Sequence, residues 1–585
     1  MTRDGSAPSP EALEALARAL GHRGPDGRGR HVDGDVGLIQ TRLAIIDLKT
    51  GDQPIHAQGP DGTEAVLVAN GEIYNYVETK LDMGRVPFKT KSDCEVPLQL
   101  YLREELTFVD HLRGMYAIAI HDRTRGRLVL SRDPFGIKPL YFVQTGAAFA
   151  FASEPQALVR AGLAALRLNG RARDEVLNLQ FSCGRETPFV GIERVLPGET
   201  LIVEKGRIIG RNRMAALPDG PARAMSGREA LDRLDELLDD AVGIHQRSDV
   251  PYGMFFSGGI DSTVLLAMMS RLNERPVRAF TAGFSGTRVT DERAFAREIA
   301  HHLGAEHVEM DFDADDFWRL LPEIAAAVDD PVADYAILPS YKLARTAREQ
   351  GIKVILSGEG GDEIFAGYGR YRRALRWRLF GGRPMREKGI LHGLGLLRDE
   401  TPAWREATVA AEADMAGHGW SALQRAQALD IGDWLPNDLL TKLDRCLMAH
   451  GVEGRVPFLD RKLAAFGFGL EDAHKVRRGH GKWLLRKWLA KVLPRSRPFA
   501  AKRGFTVPVG EWIAAEGDRL GPLVAAQPGV AEICRPDAVA ALFRNPGKRE
   551  MQAAWTLLFY AVWHQHHILG GRLRGGVLDV LGETA

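Results

Sequence analysis

The sequence predicts two folded parts in one chain: a strand-rich, layered α+β domain followed by a parallel-sheet α/β domain. Three observations predict this. The 585 residues are more than one core ordinarily organises. Short apolar runs at 36–39, 43–46, 65–68, 117–120, 128–130, 141–143 and 200–203 are punctuated by Gly, Pro and Asp, as in a domain built of short strands with few helices. Beyond residue 228 strand-like runs (252–256, 277–282, 307–310, 352–356) alternate with helical periodicity (from 262, 292–303, 340–349), the pattern of a parallel sheet covered by helices.

Composition narrows the function. Hydrophobic residues are 45%, charged residues 26% and the formal net charge is +1, so no basic field supports nucleic-acid binding. Cys94, Cys183, Cys446 and Cys534 lie far apart with no CxxC pair. A polar start, no leader pattern and no apolar span of membrane length point to a reduced, cytoplasmic enzyme that uses no membrane.

In chain order, apolar positions at helical spacing predict a helix over 11–20, stopped at Gly21. The turn His22-Arg23-Gly24-Pro25-Asp26-Gly27 follows. After the strands, 199–212 reads as closing strands, and Pro, Gly and small residues at 213–227 read as a linker. A helical pattern from Arg228 leads into an apolar strand ending at Phe255-Phe256, then Ser257-Gly258-Gly259-Ile260-Asp261-Ser262. Two glycines allow close backbone approach to a ligand, and a following helix start presents free N–H groups to an anion. The loop has no Walker lysine. A second loop, Ser357-Gly358-Glu359-Gly360-Gly361-Asp362-Glu363, ends a later strand with three glycines and three carboxylates, which suits a nucleotide and Mg²⁺. Ligands of such sheets bind at the carboxyl ends of the strands.

The first loop resembles the SGGxDS loop of ATP pyrophosphatases, which cleave ATP between the α- and β-phosphates. A second resemblance covers the N-terminal part: His22–Gly27, Arg42-Leu43-Ala44-Ile45-Ile46-Asp47, Asn70-Gly71-Glu72-Ile73-Tyr74-Asn75, Ser92-Asp93-Cys94-Glu95, Ser131-Arg132-Asp133-Pro134-Phe135-Gly136 and Ala152-Ser153-Glu154 occur in the order of the glutaminase domain of glutamine-dependent asparagine synthetases. The likeness continues through Leu435 to Arg445, Glu453 to Asp460, Gly479 to Arg486 and Lys502 to Pro508, most of the chain. It implies an N-terminal-nucleophile fold, a four-layer αββα glutaminase domain over residues 1–212, a linker at 213–227 and an ATP-pyrophosphatase (synthetase) domain over 228–585.

The resemblance implies roles. Arg42 forks onto the glutamine α-carboxylate, Asp93 and Glu72 hold its ammonium end, and the Asn70 side chain with the Gly71 N–H forms an oxyanion hole. Phe255 and Ala282 line the adenine; Ser257, Gly258, Gly259, Asp261, Ser262, Ser357 and Gly358 surround the nucleotide. Asp261 and Asp362 hold Mg²⁺ and pyrophosphate, Glu359 acts near the reacting carboxylate as the base for ammonia, and Lys482 offsets charge on the leaving pyrophosphate. The activity implied is AMP-forming synthesis of asparagine from aspartate, ATP and glutamine-derived ammonia through an acyl-adenylate, and a homodimer is compatible with it. Two alternatives stand beside it: an amide-closing relative of the β-lactam synthetase or lasso-cyclase kind or one amidating another carboxylate, and a non-catalytic nucleotide-binding subunit.

The sequence departs from the family at two places. The family begins Met-Cys-Gly-Ile, with that Cys as nucleophile; here Met1-Thr2-Arg3-Asp4-Gly5 stands first, and Thr2 and Cys94 are weak substitutes. The expectation is that a short upstream piece precedes Met1, that these residues use ammonium rather than glutamine, and that the first sheet lacks an inner strand, leaving backbone groups unpaired near Asn70. Ala366 replaces the usual Gly, a change expected to be tolerated. Two further features are read as structural: His564, His566 and His567 on a C-terminal helix over 553–568, and Arg370, Arg372, Arg373, Arg376 and Arg378 as a solvated helix face.

Overall fold

The computed structural model describes the chain apart from residues 290, 376–384, 401, 501–505, 546 and 583–585. Arg376, Arg378 and the run Lys502-Arg503-Gly504-Phe505 lie outside the described residues. Among those described, no helix is long and apolar enough to cross a membrane.

The N-terminal half holds a hairpin, β1 (Gly27–Asp33) and β2 (Val36–Arg42), and two sheets. The larger contains β3 (Ile55–Gln58), β4 (Glu64–Ile73), β5 (Gly114–Asp122) and β6 (Arg127–Arg132), joined later by β10 (Glu199–Glu204) and β11 (Arg207–Arg213). Its order is β11-β10-β6-β5-β4-β3, antiparallel throughout. The smaller, ordered β8-β7-β9, contains β7 (Tyr141–Gln144), β8 (Phe149–Ala152) and β9 (Ile192–Arg194).

Period-two alternation explains the layering, because successive side chains of a strand face opposite sides. Leu67 and Ala69 of β4 pack with Val96, Leu98 and Leu100 of the helix Glu95–Glu104. Val66 and Val68 pack the other way, with Leu38, Phe142, Phe149 and Leu201 between the sheets. Beyond the smaller sheet the helices Pro10–Ala19 and Pro155–Arg160 pack on one another. The result is the expected αββα sandwich.

Two expectations need correction. Residues 43–46 form no strand: Ala44 N donates to Asp26 Oδ2 at 2.9 Å, while Ile45 and Ile46 are buried from a loop. The backbone near Asn70 is not left unpaired either. Asn70 pairs with Ala117 of β5, and Ala69 N donates to Gln53 Oε1 at 2.6 Å. Thr2 bridges Ala148 beside β8, and the Met1 amine donates to Phe149 O at 2.9 Å, so the residues at this end pair with the smaller sheet.

The C-terminal half contains β12 (Tyr252–Phe255), β13 (Arg278–Gly283), β14 (Glu306–Asp311), β15 (Val354–Leu356) and β16 (Glu453–Arg455), all parallel, in the order β14-β13-β12-β15-β16. The chain builds outward from β12 to β14 and returns on the other side with β15. The switch point therefore lies between β12 and β15, where a crevice opens at the strand ends. The helix Gly227–His245 leads in, and Ile260–Leu272, Arg293–His302 and Ile337–Glu349 are crossover helices. The C-terminal helix Lys548–His567 is buried along most of its length.

Candidate active sites

The first site lies between the two sheets. A cavity of about 240 Å³ is lined by Arg42 at the end of β2, Asn70, Gly71 and Glu72 at the end of β4, Asp93, Cys94, Met1 and Thr2; Met448 and Glu453 of the C-terminal half also reach it. Gly71 has φ +150°, and a Cβ there would stand 2.0 Å from Met115 O, so only glycine fits. Arg42 is oriented by Asp47 O at 2.6 Å and Asp52 Oδ1 at 2.8 Å. Asp93 Oδ2 accepts from Ile73 N at 2.7 Å. Among the described residues the buried Asn70 Nδ2 has no hydrogen-bond partner, a state that costs free energy until an acceptor arrives. Burial, then Asp93, pushes the Glu72 carboxyl well above its ordinary value, and burial also raises Asp93.

Neither substitute nucleophile is activated. Burial, then Asp93 and Glu72, drives the Cys94 thiol well up, so it keeps its proton. The Thr2 hydroxyl donates to Ser6 O at 2.6 Å.

The second site fills the switch-point crevice. The helix Ile260–Leu272 begins directly after the Ser257–Gly259 turn, and the loop after β15 folds against it. A Cβ on Gly361 would meet Asp261 Oδ1 at 2.7 Å, so the glycine lets the loops close. Lys482 Nζ forms ion pairs with Asp261 and, at 2.6 Å, with Asp362. Burial alone would lower this ammonium's pKa; Asp261 and then Asp362 outweigh it and hold it above the ordinary value. A Cβ on Gly367 would fall 1.8 Å from Asp362 Oδ1 and 2.2 Å from Lys482 Cε. Ser357 Oγ donates to Glu359 Oε2 at 2.6 Å, and Ser262 Oγ lies 3.2 Å from Ser257 Oγ. Phe255 and Ala282 are half-buried at the ends of neighbouring strands.

The sequence-predicted residues thus fall into two groups, each brought together. Four more were missed. Glu363 is buried beside Asp362 and accepts from Tyr368 Oη at 2.7 Å; burial, then Asp362, pushes its carboxyl up to about 8. Lys442 pairs with Asp334 at 2.6 Å; burial would lower its pKa, but Asp334 and then Glu359 hold it up. Arg455 stands 3.2 Å from Glu72 and joins the two sites. Glu363, Lys442 and Arg455 all sit inside the motifs quoted above, which was the available signal; Asp334 had none. Arg370 departs from the solvated-face reading, since it pairs with buried Asp430 at 2.7 Å and lies over the Tyr368 and Trp434 rings. His566 and His567 each contact a backbone carbonyl, Gly571 O and Ala325 O.

An αββα half with a pocket of glutaminase type, joined to a parallel sheet with an acid–lysine crevice at its switch point, defines the class: a glutamine amidotransferase domain coupled to a synthetase domain. Residues 2–213 match the glutamine amidotransferase domain model, and 233–565 match the asparagine synthase model. A glutamine-hydrolyzing asparagine synthetase of Bacillus subtilis is 30% identical over 95% of this chain and 94% of that protein. A protein of Mycobacterium tuberculosis with the same family name is 33% identical over 95% and 94%, and asparagine synthetase B of Escherichia coli 29% over 86% and 80%. The chain belongs to the glutamine-hydrolysing asparagine synthetase family.

Proposed function

We propose that this chain makes asparagine from aspartate in an ATP-dependent, AMP-forming reaction, as a carbon–nitrogen ligase of the family that takes its nitrogen from glutamine, these residues using ammonium because neither Thr2 nor Cys94 is an activated nucleophile. The proposed units are residues 1–212 for the glutaminase and 228–585 for the synthetase, joined by 213–227. The Lys482 ammonium between Asp261 and Asp362, at the carboxyl ends of β12 and β15, carries the reading.

ATP binds with its adenine against Phe255 and Ala282 and its phosphates over Ser257, Gly258, Gly259, Ser262, Ser357 and Gly358. The aspartate side-chain carboxylate attacks the α-phosphate; the acyl-adenylate forms as the bond to pyrophosphate breaks. Lys482 offsets charge on that leaving group. Asp261 and Asp362 offer the hard oxygen donors that suit Mg²⁺, and their convergence on one cationic centre fits such an ion, which when bound neutralises phosphate charge. Glu359, held by Ser357, takes a proton from incoming ammonia as its nitrogen displaces AMP. Glutamine's α-carboxylate is bound by Arg42 and its ammonium by Asp93 and Glu72, while Asn70 Nδ2 and Gly71 N–H face the amide oxygen; the unpaired Asn70 donor supports that assignment. The shared wall at Met448 and Glu453 supports passage of ammonia away from bulk water. The cytoplasm is the proposed location. Neither the cyclase nor the non-catalytic alternative has an observation in its favour.

ATP–pyrophosphate exchange against a panel of carboxylates tests this. Exchange driven by aspartate alone, followed by asparagine release on adding ammonium, is expected. Exchange driven by another carboxylate, or none, overturns it.

A further inference from the structure

The antiparallel register gathers three histidines at one end of the N-terminal sandwich. His56 of β3 and His121 of β5 both stand opposite Val66 of the intervening β4, so they share one face of the large sheet. His31 of β1 reaches over that row from the β1–β2 hairpin. Its Nε2 is 3.4 Å from His121 Nδ1, and its ring lies 5.3 Å from that of His56. Asp33, two residues on, points to the same spot: one ligand atom from each of His31, Asp33 and His121 lies within 4.8 Å of the others.

We propose that His31, Asp33 and His121, beside the His56 ring, form a binding site for one divalent transition metal of the zinc kind. Nitrogens about 2.0–2.1 Å from a tetrahedral zinc stand about 3.3–3.4 Å apart, the spacing already present between His31 and His121. Two imidazoles with one carboxylate select a borderline cation over Mg²⁺. Arg123 Nε donates to Asp33 Oδ2 at 2.6 Å and so orients the carboxylate. An imidazole–imidazole hydrogen bond would explain the 3.4 Å contact but not the third ring beside it. The site lies at the hairpin's turn end, where Asp33 pairs with Val36; Arg42 pairs with Gly27 at its base. A bound ion would pin the hairpin that carries Arg42 to strand β5.

The test is equilibrium dialysis of the full chain, stripped with chelator, against Zn²⁺ in excess Mg²⁺. One Zn²⁺ per chain is expected, with at least about 100-fold weaker binding in His31→Gln and about 10–100-fold weaker in Asp33→Asn. His31 is only half-buried, so its variant carries the test if His121→Gln does not fold. Co²⁺ in place of Zn²⁺ should give the intense visible absorption of a four-coordinate ion, lost in His31→Gln. No Zn²⁺ on the wild-type chain, or equal binding in His31→Gln, overturns the proposal.

Discussion

Arg455, in the edge strand of the parallel sheet, brings Nη2 to 3.2 Å from Oε1 of Glu72, at the end of a strand in the antiparallel sheet. Both side chains are buried, and the pair sits at ion-pair distance without hydrogen-bond geometry at Nη2. The backbone of Arg455 is tied to the second site, because its carbonyl accepts from Ser357 N at 2.8 Å. Glutamine-pocket carboxylate and nucleotide loop are thus two contacts apart. Removing one member of a buried pair strands the other, at a cost of about 3–5 kcal/mol. Arg455→Met is expected to lose stability in that range by urea denaturation, and Glu72→Gln with Arg455→Met to recover part of it. Additive losses in the double variant would show that the pair is not coupled.

Asp261→Asn and Asp362→Asn are each expected to lower pyrophosphate release at least about 100-fold with secondary structure intact. Each removes one of the two charges facing Lys482 and one oxygen donor for the cation. Near-wild-type turnover in either variant, with ammonium as donor, contradicts its role.

Ala366 has φ +57°, a left-handed conformation, and is fully buried. Glycine there would relieve roughly 1–2 kcal/mol of strain. It would also add about 0.5–1 kcal/mol of backbone entropy cost and lose about 0.8 kcal/mol of methyl burial. The contributions nearly cancel, which is the physical basis for expecting alanine to be tolerated there. Ala366→Gly should shift stability by less than about 1 kcal/mol, and Ala366→Val should cost more than about 2 kcal/mol, since a β-branched residue resists positive φ. A large gain for glycine in thermal melts would show that the methyl contributes nothing.

Glu363 binds its proton more tightly folded than unfolded, with the folded value pushed up from 4.5 to about 8 by burial and then Asp362. Its contribution is therefore complete below about pH 4.5 and is lost as pH rises through about 8. Glu363→Gln keeps an acceptor for Tyr368 but cannot ionise. Calorimetry of the ligand-free protein should find the variant gaining on wild type between about pH 5 and pH 8.5, by several kcal/mol. A difference that does not change with pH refutes the assignment.

The sequence by itself determined the two sheets' character and the local loops. Ser257–Ser262 and Ser357–Asp362 were legible because glycine, serine and acid spacing is local chemistry written in consecutive residues. Lys482 was legible only through its resemblance to a family motif, for a lysine before a helix has no signature of its own. Short-range pattern failed where contacts at a distance decide. Residues 43–46 are as apolar as a strand, yet Asp26 captures the Ala44 N–H and leaves them a loop. Glu453–Arg455 is three residues long, too short for any periodicity, and becomes a strand because β15 supplies its partners. The salt link from Arg455 to Glu72 spans the two halves, and the grouping of His31, His56 and His121 depends on strand register. Register and domain docking are set by which apolar faces bury each other over long sequence separations, so only the tertiary structure decided them.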